Sequence, residues 1–224
     1  MRRTAVNRSL CVDATEVTVA GWRACVAAAA CKPLAGETHF AGIRPDATYS
    51  VRDICVAAGS APSLPVNCVE RAAAAAFCAW RGGRLPTDAE WLMVALGRDA
   101  DERRAPWGAL PLDASRANVC DDACVAWAED VGLLRAPAIG GDDGASTLAP
   151  VGSYPTGASP DRVLDLFGNV GEWTATDRAG SALVRGGSFM TTAERALREP
   201  RLADPRAASV EIGFRCVATA SADR

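Results

Sequence analysis

Hydrophobic and polar positions alternate loosely over residues 6–12, the period of an edge strand. The spacing then widens: Trp22, Cys25 and Val26 share one side of a helix that opens near Thr18 as N-cap and ends near Cys31, ahead of Pro33. Over residues 35–65 no period survives, and Gly, Pro, Ser and Asp punctuate a long irregular segment that needs tethers to stay ordered. Asn67 and Glu70 then resemble a capping box before an alanine-rich helix that runs to Arg81 and stops at Gly82 and Gly83. Thr87 and Glu90 form the T-x-x-E box of a further helix that closes on Gly97. Trp80, Leu85, Trp91 and Leu92 are the expected core of this helix pair.

After Gly97 the regular pattern fades. Residues 98–160 hold most of the loops, with acidic and amide side chains spaced among glycines. Two readings suit such loops: solvated acidic turns, or a calcium site, since that hard cation gathers six to eight oxygens. A glycine-punctuated apolar turn over residues 163–173 leads to two buried strands, 183–189 and 211–217. Between them residues 190–210 are rich in Arg, Glu and Pro and cannot form a core of their own. A framed polar loop of this kind is where function is expected.

Composition narrows the field. With 224 residues, 49% hydrophobic and 23% charged, the chain has ordinary globular character and enough apolar material for a core. Its formal net charge is -3, Lys32 is its sole lysine, and no basic stripe suggests nucleic acid. The apolar run at residues 72–80 is too short to span a bilayer. Nine cysteines without a C-x-x-C pair, and His39 as the only histidine, leave a zinc site little to draw on. Disulfides in an oxidising compartment fit better, which implies a secreted, periplasmic or cell-envelope protein. The first ten residues lack the apolar core of a signal peptide, so a mature domain and a cytosolic chain with free thiols both stay open.

RLPTDAEW, PWG, LDLFGNVGEW, VRGGSF and GFRC occur in this order over about residues 10 to 218, and together they resemble the formylglycine-generating enzyme (sulfatase-modifying factor) family. The resemblance implies an α+β, C-type-lectin-like variant: short helices around a small antiparallel sheet, little regular structure, and structural calcium. It implies a single domain over residues 5–218 with flexible ends at 1–4 and 219–224. A PGGTFxMG-like opening strand is not evident, so the chain is expected to begin late. Carried over residue by residue, a first calcium site takes the Asn118 side chain, the Val119 carbonyl, Asp143 and the Ala145 carbonyl. A second takes Asp165, where the family usually has Asn, the carbonyls of Gly168 and Val170, and Glu172. Asp for Asn keeps an oxygen ligand and adds charge.

The family's chemistry carries over poorly. Its enzymes oxidise a cysteine of a target sulfatase to formylglycine, using oxygen and copper held by two cysteines, because soft thiolates select Cu(I). The matching positions are Thr191 and Ala196. A pocket Trp of the family is Gly171, an Asn is Glu211, and only Ser188 of the polar pocket is kept. Copper is therefore not expected, nor are catalytic residues. The related iron enzymes need a histidine cluster that one histidine cannot supply. Among the cysteines, the resemblance implies a Cys78–Cys216 disulfide, while proximity suggests Cys25 with Cys31, Cys55 with Cys68 and Cys120 with Cys124. Cys11 is left over.

Two function classes follow, with a third behind them. The first is a non-catalytic module, most simply a monomer, that binds an unknown protein, peptide or small acidic ligand through the 190–210 loop, using Thr191, Glu194, Arg195, Arg198 and Arg201. The second is a divergent enzyme that oxidises a peptide cysteine or runs another reaction in the same groove, where Glu199 and Asp204 add carboxylates. The third is a structural part of an envelope assembly.

Overall fold

The computed structural model describes residues 2–7, 10–34, 54–56, 59–97 and 104–219. His39 and much of the irregular 35–65 segment lie outside them. Helix α1 (Val19–Ala27) opens as expected, with the Thr18 hydroxyl accepting the Gly21 N–H at 3.2 Å. It ends before Cys31, because Ala29 takes a left-handed φ of 56° and turns the chain back. Helix α2 (Arg71–Trp80) has Glu70 as N-cap with no side-chain cap bond. The expected capping box at Asn67 is therefore corrected. That amide is buried and donates to the carbonyls of Ile54 and Val210, both at 2.8 Å, while it accepts the Val56 N–H at 2.9 Å, so it joins three separate segments. Helix α3 (Asp88–Leu96) has the complete Thr87–Glu90 capping box and stops at Gly97, whose φ is 74°.

Of the expected core residues, Leu85 and Trp91 are buried and Leu92 is half-buried. Trp80 is 41% exposed. Helix α2 buries Ala74, Phe77 and Cys78, and two further residues turn Trp80 about 200° away from Cys78. The region expected to hold most of the loops also contains α4 (Asp122–Asp130), capped by Asp121 and burying Cys124, Trp127 and Ala128.

The stretch read as one edge strand is a hairpin: β1 (Arg3–Asn7) pairs antiparallel with β2 (Leu10–Asp13), so residues 3 and 4 are not a loose end. A second sheet centres on β3 (Gly171–Arg178), which begins at the end of the 163–173 stretch read as a turn, and on β4 (Ser181–Arg185). Strand β4 stops at Arg185 because Gly186 and Gly187 adopt φ of 90° and 72°. Strand β5 (Arg201–Ala203) lies on the β4 edge and β6 (Ile212–Gly213) runs parallel to β3, giving the order β5-β4-β3-β6. The strand expected over 211–217 is thus divided. Its end joins β7 (Val217–Thr219), which pairs with β2 in the first sheet, and Phe214, Arg215 and Cys216 cross between the two sheets.

That crossing is the centre of the molecule. Phe214 meets Phe77 and Trp22 edge-on, while Trp22 and Phe77 stack at 5.5 Å. Cys216 forms a disulfide with Cys78 across 138 residues, and Cys25–Cys31, Cys55–Cys68 and Cys120–Cys124 are also closed. All four expected pairs are present and Cys11, on β2, is free. Four disulfides place the chain in an oxidising, non-cytoplasmic environment. No helix among the described residues is long and apolar enough to cross a membrane.

Candidate functional site

Beyond β4 the chain folds back on itself. A side chain on Gly187 would put its Cβ 2.4 Å from the Thr191 hydroxyl, so only glycine permits the turn in which Ser188 N–H donates to Thr191 Oγ1 at 2.8 Å and Thr191 N–H donates to the Ser188 carbonyl at 2.9 Å. The Ser188 hydroxyl in turn donates to Glu211 Oε2 at 2.8 Å and accepts the Met190 N–H, while the other Glu211 oxygen pairs with Arg201 at 3.2 Å. Glu211 is held from two sides. At Gly171 a Cβ would come within 2.9 Å of both the Gly187 carbonyl and Val184, which leaves no room for a tryptophan. Ala196 sits on a short 3-10 helix, Glu194–Leu197, that buried Leu197 pins to the core.

Thr191 and Ala196 line two adjoining cavities. The outer one, about 490 Å3, is completed by Arg135, Arg195, Glu199 and Arg201, and the inner one, about 120 Å3, reaches Val184 and Glu211. Three guanidiniums against one carboxylate give the outer groove a positive surplus within a chain of net charge -3. Of the expected binding residues, Thr191, Arg195 and Arg201 face this groove. Glu194 instead accepts the Leu112 N–H, and the Arg198 carbonyl accepts a bond from buried Arg185. Arg195 and Glu199 are paired at 3.6 Å and largely exposed, so their pairing leaves both free to exchange partners. Leu134, Arg135 and Ala136 form a wall that sequence reasoning missed, since they follow α4 and approach the loop only in three dimensions.

On the other side of the same segment an acidic pocket assembles. Cys120 N–H donates to the Thr191 carbonyl at 3.0 Å, and one residue earlier Val119 N–H donates to Asp143 Oδ2 at 3.0 Å. Asp143 also accepts the Ala145 N–H, and burial, with Asp121 and Asp142 adding repulsion, pushes its carboxyl up to about 6. The Asn118 amide donates to the Thr147 carbonyl and to Asn169 Oδ1, which fixes its orientation, and its own Oδ1 is buried without a partner. Such an orphan oxygen beside a carboxylate fits a hard cation.

The second expected set is buried deeper. Asp165 Oδ2 accepts the Gly152 N–H at 2.7 Å, and burial pushes its carboxyl up to about 6. Glu172 already carries Arg215 on both oxygens, the closest at 2.6 Å, and Trp91 Nε1 at 2.8 Å. Gly168 touches the Asn118 carbonyl so closely that a Cβ would overlap it, and Asn169 bonds to Asn118, so the two sets are neighbours. Glu16, a residue the sequence did not single out, accepts from Asn169 Nδ2 at 2.7 Å and from Val170 N–H at 3.0 Å. Burial, then repulsion from Asp165 and Glu172, pushes its carboxyl well up.

A scaffold of buried carboxylates and amides thus lies behind an arginine-lined groove. Residues 1–220 match the sulfatase-modifying factor enzyme 1-like domain, and the chain belongs to that family. It is 35% identical over 170 residues to the inactive C-alpha-formylglycine-generating enzyme 2 of Mus musculus, covering 70% of this chain and 50% of the relative. It is 37% identical over 120 residues to the hercynine oxygenase of Mycolicibacterium thermoresistibile, covering 51% of this chain and 21% of that one. The chain therefore spans half or less of the length of these relatives. Among solved structures it is similar to PvdO from Pseudomonas aeruginosa, with a TM-score of 0.61 at 20% identity over 93% of this chain and 79% of the other. Treponema denticola variable protein 1 follows at 0.58 and 18%, over 93% and 84%. These likenesses establish the fold.

Proposed function

We propose that this chain is a non-catalytic member of the family, a calcium-braced module that presents the groove beside residues 190–210 to a ligand. One observation carries the reading: the positions of the copper-binding cysteines are Thr191 and Ala196, and the Thr191 hydroxyl is already engaged by Ser188 N–H. Neither a hydroxyl nor a methyl replaces a thiolate on copper. Eight of the nine cysteines are in disulfides, and the remaining Cys11 is on β2 of the other sheet. The inactive mouse relative is in keeping with this reading.

Arg135, Arg195 and Arg201 suit a ligand bearing carboxylates or another anionic group, with the planar guanidinium matching a carboxylate fork. Calcium would be held by Asn118, Val119, Asp143 and Ala145, and would supply the positive charge that buried acceptors lack. A second ion at Asp165, Gly168, Val170 and Glu172 would balance Glu16, Asp165 and Glu172 against the lone Arg215. Incubation with Cu(I) and a peptide bearing C-x-P-x-R, with mass spectrometry of the cysteine, tests the non-catalytic part of the reading. The expected result is no conversion beside an active relative. An aldehyde product would make the chain an enzyme of the formylglycine-generating type.

A further inference from the structure

We infer that Asp121 and Asp142 belong to the first cation site, enlarging it from four oxygen donors to six and making it a more acidic site than the family pattern implies. The inference rests on the calcium reading above.

A carboxylate oxygen from each of Asp121, Asp142 and Asp143 lies within 4.8 Å of the other two. Two ligands on opposite sides of one calcium ion are separated by about twice the 2.3–2.6 Å bond, so three oxygens this close are at the spacing of one coordination sphere. Among the described residues no arginine or lysine forms an ion pair with any of the three. Three gathered carboxylates without a cation repel one another. Acidic groups cluster on many surfaces, but here a second, independent feature adjoins them: Asn118, 1% exposed, keeps an unpartnered Oδ1 next to the peptide group that Asp143 holds.

Asp121 also has a geometric part. It is fully buried, its Oδ1 caps α4 through Cys124 N–H at 2.8 Å, and its Oδ2 accepts Asp143 N–H at 2.8 Å. Each oxygen retains a lone pair for a metal. Asp142 is exposed, uses Oδ1 on Gly144 N–H at 2.7 Å, and among the described residues shows no hydrogen bond to Oδ2. Adding these two carboxylates to Asn118, Val119, Asp143 and Ala145 reaches six oxygens, the lower bound for calcium coordination. A donor set of three carboxylates also favours a trivalent ion of similar size, such as terbium, over calcium. Tyr154, whose hydroxyl donates to the Asp143 carbonyl at 3.1 Å, is placed to sensitise terbium emission.

The test is titration of the full chain with Ca2+ by calorimetry and with Tb3+ by luminescence excited through tyrosine, for the wild type, Asp121→Asn and Asp142→Asn. Each variant is expected to weaken both ions by about tenfold or more, as loss of a charged ligand does. Asp142→Asn changes an exposed side chain, so it stays informative even where Asp121→Asn disturbs the α4 cap. Wild-type binding with both variants unchanged would overturn this inference and leave the four-donor site standing. A wild type that binds neither ion would overturn the calcium reading as well.

Discussion

Arginine and glutamate meet in two regions of this molecule under opposite conditions. Arg215 and Glu172 are both buried, in bidentate contact, with Arg215 also donating to the carbonyls of Asp13, Leu164 and Asp165. In the groove Arg201 pairs with Glu211 while 43% exposed, and Arg195 with Glu199 while both are mostly in water. Removing a partner from a sealed pair strands a charge where nothing solvates it, whereas water takes over at once on the surface. The first pair holds the two sheets together, and the second leaves its guanidiniums open to a ligand. The same chemistry therefore acts as scaffold in one place and, in the function proposed above, as recognition surface in the other.

The comparison can be tested in order of effect. Replacing both Cys78 and Cys216 by serine removes the 138-residue link beside Arg215 and is expected to cost about 4 to 5 kcal/mol on chain entropy, measured by urea unfolding. Arg215→Ala should cost about 3 to 5 kcal/mol, and a loss as small as that of a groove arginine would abolish the distinction. Calcium removal comes next: at a hundredfold excess over Kd the ion contributes about 2.7 kcal/mol, so chelation should lower Tm clearly, and unchanged melting would remove the calcium assignments. Arg201→Ala and Arg195→Ala should shift stability by no more than about 1 kcal/mol while weakening an anionic ligand. The smallest effect concerns Glu90, whose hydrogen bonds from Arg84, helped by Thr87, hold its carboxyl down at about 2, below the ordinary 4.5. Because the folded value is depressed, its contribution is present above 4.5 and fades as pH falls through about 2. Glu90→Gln should flatten that part of the acid unfolding curve.

How far the residues could be read in advance depended on whether their signals were local. Thr18, Thr87 and Glu90 act within one turn of the chain, and their caps formed as expected. Asn67 offers the same kind of spacing to Glu70, but burial of its amide among Ile54, Val56 and Val210 satisfied more groups than a cap would. Helix α4 carries a readable period in Cys124, Trp127 and Ala128, with Asp121 as cap, yet the glycines around it obscured the signal. The 211–217 run gave no hint that its two ends belong to different sheets, since each half alternates alike.

The site divides in the same way. Thr191 and Ala196 in place of thiols, Gly171 in place of a large ring, and the paired cysteines were all visible in the linear order, because identity at a motif position and the presence of a thiol are properties of single residues. Only tertiary structure placed Leu134, Arg135 and Ala136 opposite Arg195, closed Glu16 onto Asn169, and brought Asp121 beside Asp143. Those meetings join residues 22 to 153 positions apart, and no local period can encode which distant backbone groups will need the same acceptor once water is gone.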